Sequence, residues 1–151
     1  MDKDFLVYSA SAGSGKTFNL ARIFIEELIR KDEFAIDEHL KSIMAITFTH
    51  KAANEMKDRV LSFLDQISNN KPESKSIESL IKDISKNLKI SIEEVRDRSG
   101  IALELIMENF SQLSISTIDS FSHRVVRSFT KELNLHYDFD VSLDYKSWIE
   151  L

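Results

Sequence analysis

Gly13 and Gly15 are two of only three glycines in the chain, and they stand in the stretch Ala10-Ser11-Ala12-Gly13-Ser14-Gly15-Lys16-Thr17. That stretch constrains the fold more than any other. Before it, Phe5-Leu6-Val7-Tyr8 is a short apolar run of β-favouring residues and reads as a buried strand. After it, from Thr17 to Arg30, Leu20, Ile23, Phe24, Ile25, Leu28 and Ile29 recur near a 3.6 period, which predicts an amphipathic helix. Ala10 to Thr17 fits the Walker A pattern except that Ala10 replaces its first glycine, and strand–loop–helix is the context the pattern requires. The residue types have a physical reason. A polyphosphate wrapped by backbone N–H groups needs close approach, and side chains at Gly13 and Gly15 would obstruct it or forbid the required φ. The free N–H groups of the following helix point at the anion. Lys16 would reach the β- and γ-phosphates, and the Thr17 hydroxyl would take one site on Mg²⁺. A tight strand-to-helix turn alone explains the glycines but not the lysine and threonine that follow.

Downstream, Ile43 to Phe48 reads as a second buried strand, followed by a helix marked by Ala53, Met56, Val60, Leu64 and Ile67. Ser68-Asn69-Asn70-Lys71-Pro72 is the clearest break. Three helical stretches are expected next. The first carries Ile77, Leu80, Ile81, Ile84 and Leu88. The second opens on the capping-box form Ser91-Ile92-Glu93-Glu94, and Gly100 separates it from the third, Ile101 to Phe110. Leu113 to Ile118 alternates as a third strand, and Asp119 is a candidate cap for the helix after it, whose apolar positions are Phe121, Val125, Phe129 and Leu133. Tyr137 to Leu143 reads as a fourth strand. Strands alternating with helices predict an α/β fold with a mainly parallel sheet, flanking helices and a helical insertion at about residues 74–110.

The 151 residues fit one domain, and the absence of cysteine excludes a disulfide framework and a thiolate metal site, in keeping with a reducing cytoplasm. No apolar run approaches the roughly 20 residues that span a bilayer, so no membrane partner is expected. The four histidines lack metal-ligand spacing. A net charge of −5 disfavours nucleic-acid binding through bulk charge and leaves only a local surface for it.

Two further segments carry specific chemistry. Thr47-Phe48-Thr49-His50-Lys51-Ala52-Ala53-Asn54-Glu55-Met56 leaves the second strand, and Ser116-Thr117-Ile118-Asp119-Ser120-Phe121-Ser122-His123-Arg124 leaves the third. Read singly, each is satisfied by a strand end, a helix cap and packing. Read together, the three stretches resemble superfamily 1 helicases of the UvrD/Rep type. ASAGSGKT resembles motif I, AITFTHKAANEMKDR motif Ia and STIDSFSHRVVRSF motif Ib, in that order. The form ASAGSGKTF is most similar to the RecB/AddA branch of helicase–nucleases, and FDVSLD resembles the strand after motif Ib.

The resemblance implies a P-loop (RecA-like) motor domain, and an ATP-dependent DNA helicase of repair or recombination as the parent. It implies MgATP held by Ala12, Gly13, Ser14, Gly15, Lys16, Thr17 and Phe18, with Lys16 and Thr17 as catalytic residues and Thr17 on the magnesium. It places Phe48, Thr49, His50 and Lys51 on a single-stranded-DNA track, and Thr117, Asp119, Ser120 and Phe121 against the DNA backbone. Aromatic faces stack on bases, while hydroxyls and cations hold phosphates without reading sequence. Arg124 and Arg127 add positive charge nearby. His50 stands where the family commonly has asparagine, and only nine residues precede Ala10, too few for the glutamine motif that reads adenine.

The family's Asp-Glu pair at a strand end is missing. Asp32-Glu33 follows a helix and Asp37-Glu38 precedes a strand. The arginine fingers of a second motor lobe are missing as well. The expectation is therefore the N-terminal part of motor domain 1A, ending near the start of the next subdomain, inactive alone and partnered by the rest of the polypeptide. The Phe5–Tyr8 strand would have an open edge and drive self-association. Two other readings stand beside this one: a different P-loop NTPase such as a small kinase, and a nucleotide-binding module without hydrolysis.

Overall fold

The computed structural model describes Val7 and residues 15–69, 75–130 and 132. Helix α1, Lys16–Leu28, begins where Gly15 takes φ 75°, the left-handed region, and it buries Ala21, Phe24, Ile25 and Leu28 along one stripe. Its C-terminal carbonyls are met from far along the chain. Arg98 Nη1 donates to Ile29 O at 3.3 Å and to Lys31 O at 2.9 Å, satisfying acceptors that a helix end leaves open. Helix α2, Ile36–Ser42, places Asp37 and Glu38 in its first turn and His39 and Lys41 in its last, the arrangement the helix dipole favours, and buries Ile36 and Leu40. Strand β1, Ala45–Thr47, leads into helix α3, His50–Ser68. Thr49 caps α3, accepting from Ala52 N at 3.1 Å.

Helix α4, Lys75–Leu88, buries Ile77, Leu80, Ile81 and Ile84. It ends on Lys89, a non-glycine residue at φ 57°, where Ile90 N donates to Ser85 O at 3.2 Å. Helix α5, Ile92–Glu108, starts in a full capping box: Glu94 N donates to Ser91 Oγ at 3.0 Å and Ser91 N to Glu94 Oε2 at 3.1 Å. A 3₁₀ turn, Phe110–Gln112, precedes strand β2, Ile115–Thr117, and helix α6, Ile118–Ser128, follows at once. The strands run parallel with Ala45 opposite Ile115 and Thr47 opposite Thr117.

The core lies among the helices. Ile25, Leu28 and Ile29 of the α1 region, Val60, Leu64 and Ile67 of α3, Ile84 of α4 and Ile106 of α5 are fully buried together. Phe18 and Phe63 meet edge-on at 5.1 Å between ring centroids, joining α1 to α3. Among the described residues no helix is long and apolar enough to cross a membrane, and no group of His, Asp or Glu could hold a metal ion.

Several expectations are corrected. The described chain is mostly helical with a two-stranded parallel sheet, consistent with the α/β class expected; the first and fourth strands of the expected sheet fall, Val7 aside, outside the described residues. The second strand contracts to Ala45–Thr47, with Ile46 49% exposed, because its apolar side chains have no sheet neighbour on that side among the described residues. Gly100 does not divide two helices. Val95, Ser99, Ala102 and Ile106 keep one buried face through it, and a Cβ at Gly100 would lie 3.6 Å from Ser68 Cβ, so small residues there let α3 pass close by. Asp119 is not the cap of α6. Thr117 is, accepting from Ser120 N at 3.2 Å, while Asp119 sits in the first turn. The stripe of α6 expected from Phe121, Val125 and Phe129 has no buried residue, with Phe129 53% exposed. Asp37-Glu38 does precede strand β1, as expected, and lies in the first turn of α2. Val7 is exposed and outside any strand, against the expectation of a buried one; the rest of Phe5–Tyr8, and Tyr137–Leu143, lie outside the described residues.

Candidate functional site

Parallel neighbours present their C-terminal ends on one side, and both motif segments leave the sheet there. Thr47 and Thr117 are register partners, and the chain departs from them into the caps of α3 and α6. The strand ends are tied together: Thr47 Oγ1 donates to Thr49 O at 3.1 Å and reaches Ser116 O at 3.5 Å. On the other strand Thr117 Oγ1 and Ser120 Oγ are 2.8 Å apart, and Arg124 Nη2 donates to Ser116 Oγ at 3.1 Å. Ligand sites of open α/β sheets lie in the crevice outside the carboxyl ends of the strands, and this arrangement fits that rule.

A cleft of about 330 Å³ opens beside these ends. Helix α3 contributes His50, Ala53, Asn54 and Lys57; β2 and α6 contribute Ser116, Thr117, Ser120 and Arg124; the segment before β2 contributes Phe110, Ser111 and Ser114. Its described polar lining is made of basic side chains, hydroxyls and one amide, and no Asp or Glu is among the described lining residues. Lys57 Nζ stands 5.5 Å from the centre of the Phe110 ring.

The helix starts differ in charge in a telling way. Helices α2, α4, α5 and α6 each have an acidic residue in the first turn; α1 and α3 have none. Instead α1 begins with Lys16 and α3 with His50 and Lys51, which leaves both positive dipole ends without a nearby carboxylate of their own.

Of the residues expected on the DNA track, Phe48 is 87% exposed, Thr49 forms the cap, and His50 and Lys51 are exposed on the first turn of α3. Thr117 is 2% exposed and spends its hydroxyl on the start of α6, so it shapes the strand end more than it offers a contact. Asp119 is exposed, and Ser120 and Phe121 are half-buried. His50, Thr117 and Ser120 thus meet in one cleft, while Phe48 projects into solvent. Asn54, Lys57, Phe110, Ser111 and Ser114 join the cleft without having been expected there. Lys57 is one turn beyond Ala53 on the same face of α3, a helical spacing that could have pointed to it; nothing local in the sequence marks Phe110.

At the glycine loop, Gly15, Lys16, Thr17 and Phe18 are described, whereas Ala12, Gly13 and Ser14 lie outside the described residues. Among the described residues a Cβ built on Gly15 would meet Phe18 Cβ alone, at 4.0 Å, and the left-handed φ is by itself a reason for glycine there. Thr17 and Phe18 are half-buried and Lys16 is exposed.

Comparison with known proteins agrees with the motifs. The chain is 30% identical over 143 residues to an ATP-dependent helicase/nuclease subunit of Lactococcus lactis subsp. lactis, covering 94% of this chain and 9% of that protein. It is 30% identical over 144 residues to the protein of the same name from Lactobacillus acidophilus, covering 93% and 9%. It is also 30% identical over 142 residues to exonuclease/helicase subunit RexA of Lactococcus lactis subsp. cremoris, covering 94% and 9%. The chain therefore spans about a tenth of the length of these relatives. No solved structure gives a significant match. The UvrD/REP helicase N-terminal domain family matches residues 1–150, and the chain belongs to that family.

Proposed function

We infer that this chain is the N-terminal part of the first motor domain of an ATP-dependent DNA helicase of the helicase–nuclease kind. It binds MgATP at its glycine loop and single-stranded DNA at the C-terminal ends of its two strands. The observation that carries the reading is the cleft where the two motif segments converge at Thr47 and Thr117, whose described lining residues include no carboxylate. A chain of net charge −5 that keeps one cleft lined by Lys57, Arg124, His50 and hydroxyls has a local surface for phosphates. The names of its relatives supply the rest: they are ATP-dependent helicase/nuclease subunits.

The loop residues fit a triphosphate. Gly15 adopts a left-handed φ, no described residue crowds the place of its Cβ, and α1 begins without an acid in its first turn. Ala12, Gly13, Ser14 and Gly15 would offer backbone N–H groups, Lys16 its ammonium, and Thr17 its hydroxyl to Mg²⁺. Phe18, packed on Phe63, fixes the start of α1. ATP hydrolysis supplies the free energy of translocation in such motors. The chain's two Asp-Glu pairs lie at a 3₁₀ turn and in α2, so hydrolysis requires further polypeptide that provides the water-polarising carboxylate and the arginine fingers.

The test has two arms. Calorimetry of the 151-residue chain with MgATP should show binding that Lys16→Ala abolishes. Anisotropy with labelled single strands should show affinity that ignores sequence and falls with salt. Nucleotide binding without DNA binding would support the other P-loop NTPase reading instead. Absence of both would overturn the assignment.

A further inference from the structure

Phe110 lies outside every motif, yet its ring stands at the wall of the cleft with 48% of its surface open. It belongs to a short 3₁₀ turn pinned on both sides. Asn109 N donates to Leu105 O at 3.1 Å at the end of α5, and Leu113, 3% exposed, anchors the start of β2. The turn therefore presents a large apolar ring at a fixed place, although burial elsewhere would stabilise that ring more. What faces it is a cation: Lys57 Nζ at 5.5 Å. Among the described residues neither Lys57 nor Arg124 has a carboxylate within ion-pair distance. The ammonium lies over one face of the ring, so a phosphate must draw it aside for a base to stack on that face.

We propose that Phe110 is a stacking platform for one base of a bound single strand, with Lys57 taking an adjoining phosphate. The proposal rests on the single-strand reading above and adds a base contact to it. Any base fits, because every base offers a π-face, and the platform is blind to sequence. Arg124, bonded to Ser116 on the β2–α6 side of the cleft, holds the strand there.

The experiment measures anisotropy of the 151-residue chain with two labelled oligonucleotides of equal length, oligothymidylate and its abasic sugar–phosphate analogue. The wild-type chain should bind oligothymidylate more tightly. Phe110→Leu should weaken oligothymidylate binding about 5- to 150-fold and leave the abasic strand unchanged, and Phe110→Trp should restore it. Unchanged abasic binding also shows that the variant has folded. Lys57→Gln should weaken both strands and lower the salt slope by about 1. If Phe110→Leu binds oligothymidylate as the wild-type chain does while Arg124→Gln weakens it, the cleft holds DNA and the platform is refuted. If the wild-type chain binds neither strand, the platform and the single-strand reading fall together.

Discussion

Among the described residues nothing crowds a methyl group at Gly15, so its replacement by alanine tests backbone handedness. Among the described residues the built Cβ meets nothing nearer than Phe18 Cβ at 4.0 Å, an ordinary contact. What the substitution costs is the left-handed conformation at φ 75°, about 1–2 kcal/mol for an L-residue. The chain holds its own control. Lys89 carries a side chain at φ 57°, so Lys89→Gly relieves the same kind of strain and offsets it with the greater unfolded-state freedom of glycine. Gly15→Ala should then lower stability by about 1–2 kcal/mol, and Lys89→Gly should change it by about 0.5 kcal/mol or less in the stabilising direction. In urea unfolding, with a slope of about 2 kcal/mol per molar, Gly15→Ala moves the midpoint down by about 0.5–1 M. Gly15→Asn should recover part of that loss, since asparagine tolerates the left-handed region. A Gly15→Ala midpoint equal to that of the wild-type chain, or equal losses for alanine and asparagine, would show that handedness is not why glycine stands there.

Other consequences are as direct. Thr49→Ala and Thr117→Ala each remove an N-cap and should each cost about 1 kcal/mol in thermal unfolding, with Thr117 the larger because its buried hydroxyl also meets Ser120 Oγ. Arg98→Ala strips the donor from Ile29 O and Lys31 O; it should cost about 2 kcal/mol and speed amide exchange in the last turn of α1, and unchanged exchange there would refute the bridging role. The Ser91 N–H bond holds the Glu94 carboxyl below its ordinary value, with Arg98 acting in the same direction against a desolvation effect. A lowered folded pKa stabilises fully above the ordinary glutamate pKa of about 4.3 and is lost as pH falls through the folded value. Glu94→Gln should therefore flatten the acid side of the stability profile, and an unchanged profile would refute the linkage.

The helices were the readable part of this chain because their signals are local. Thr49 and the Ser91–Glu94 box announce α3 and α5 within four residues, and the stripe Ile77, Leu80, Ile81, Ile84 announces α4. Gly100 misleads because helix propensity is a weak local preference, overridden here by a face that α3 keeps buried. Helix α2 escapes notice because seven residues carry only two buried apolar positions. The extent of the sheet is illegible for another reason: strand pairing is non-local, and Ile46 and Met44 read as buried while both stand open. The glycine loop and the two motif segments were legible as chemistry. The cleft was not, since Lys57, Phe110 and Arg124 come from three distant places and only the pairing of β1 with β2 brings their surroundings together.

That pairing has a further meaning for assembly. Everything from residue 48 to residue 114, including α3, α4 and α5, forms one connection between neighbouring strands that run the same way. Closing a loop of that length costs on the order of 4 kcal/mol in chain entropy, which three rungs of ladder at about 1 kcal/mol each do not cover. Thr47 and Thr117 can therefore stay side by side only while the helical excursion is folded, and a lesion deep within α4 or α5 would pull the two banks of the cleft apart without touching either.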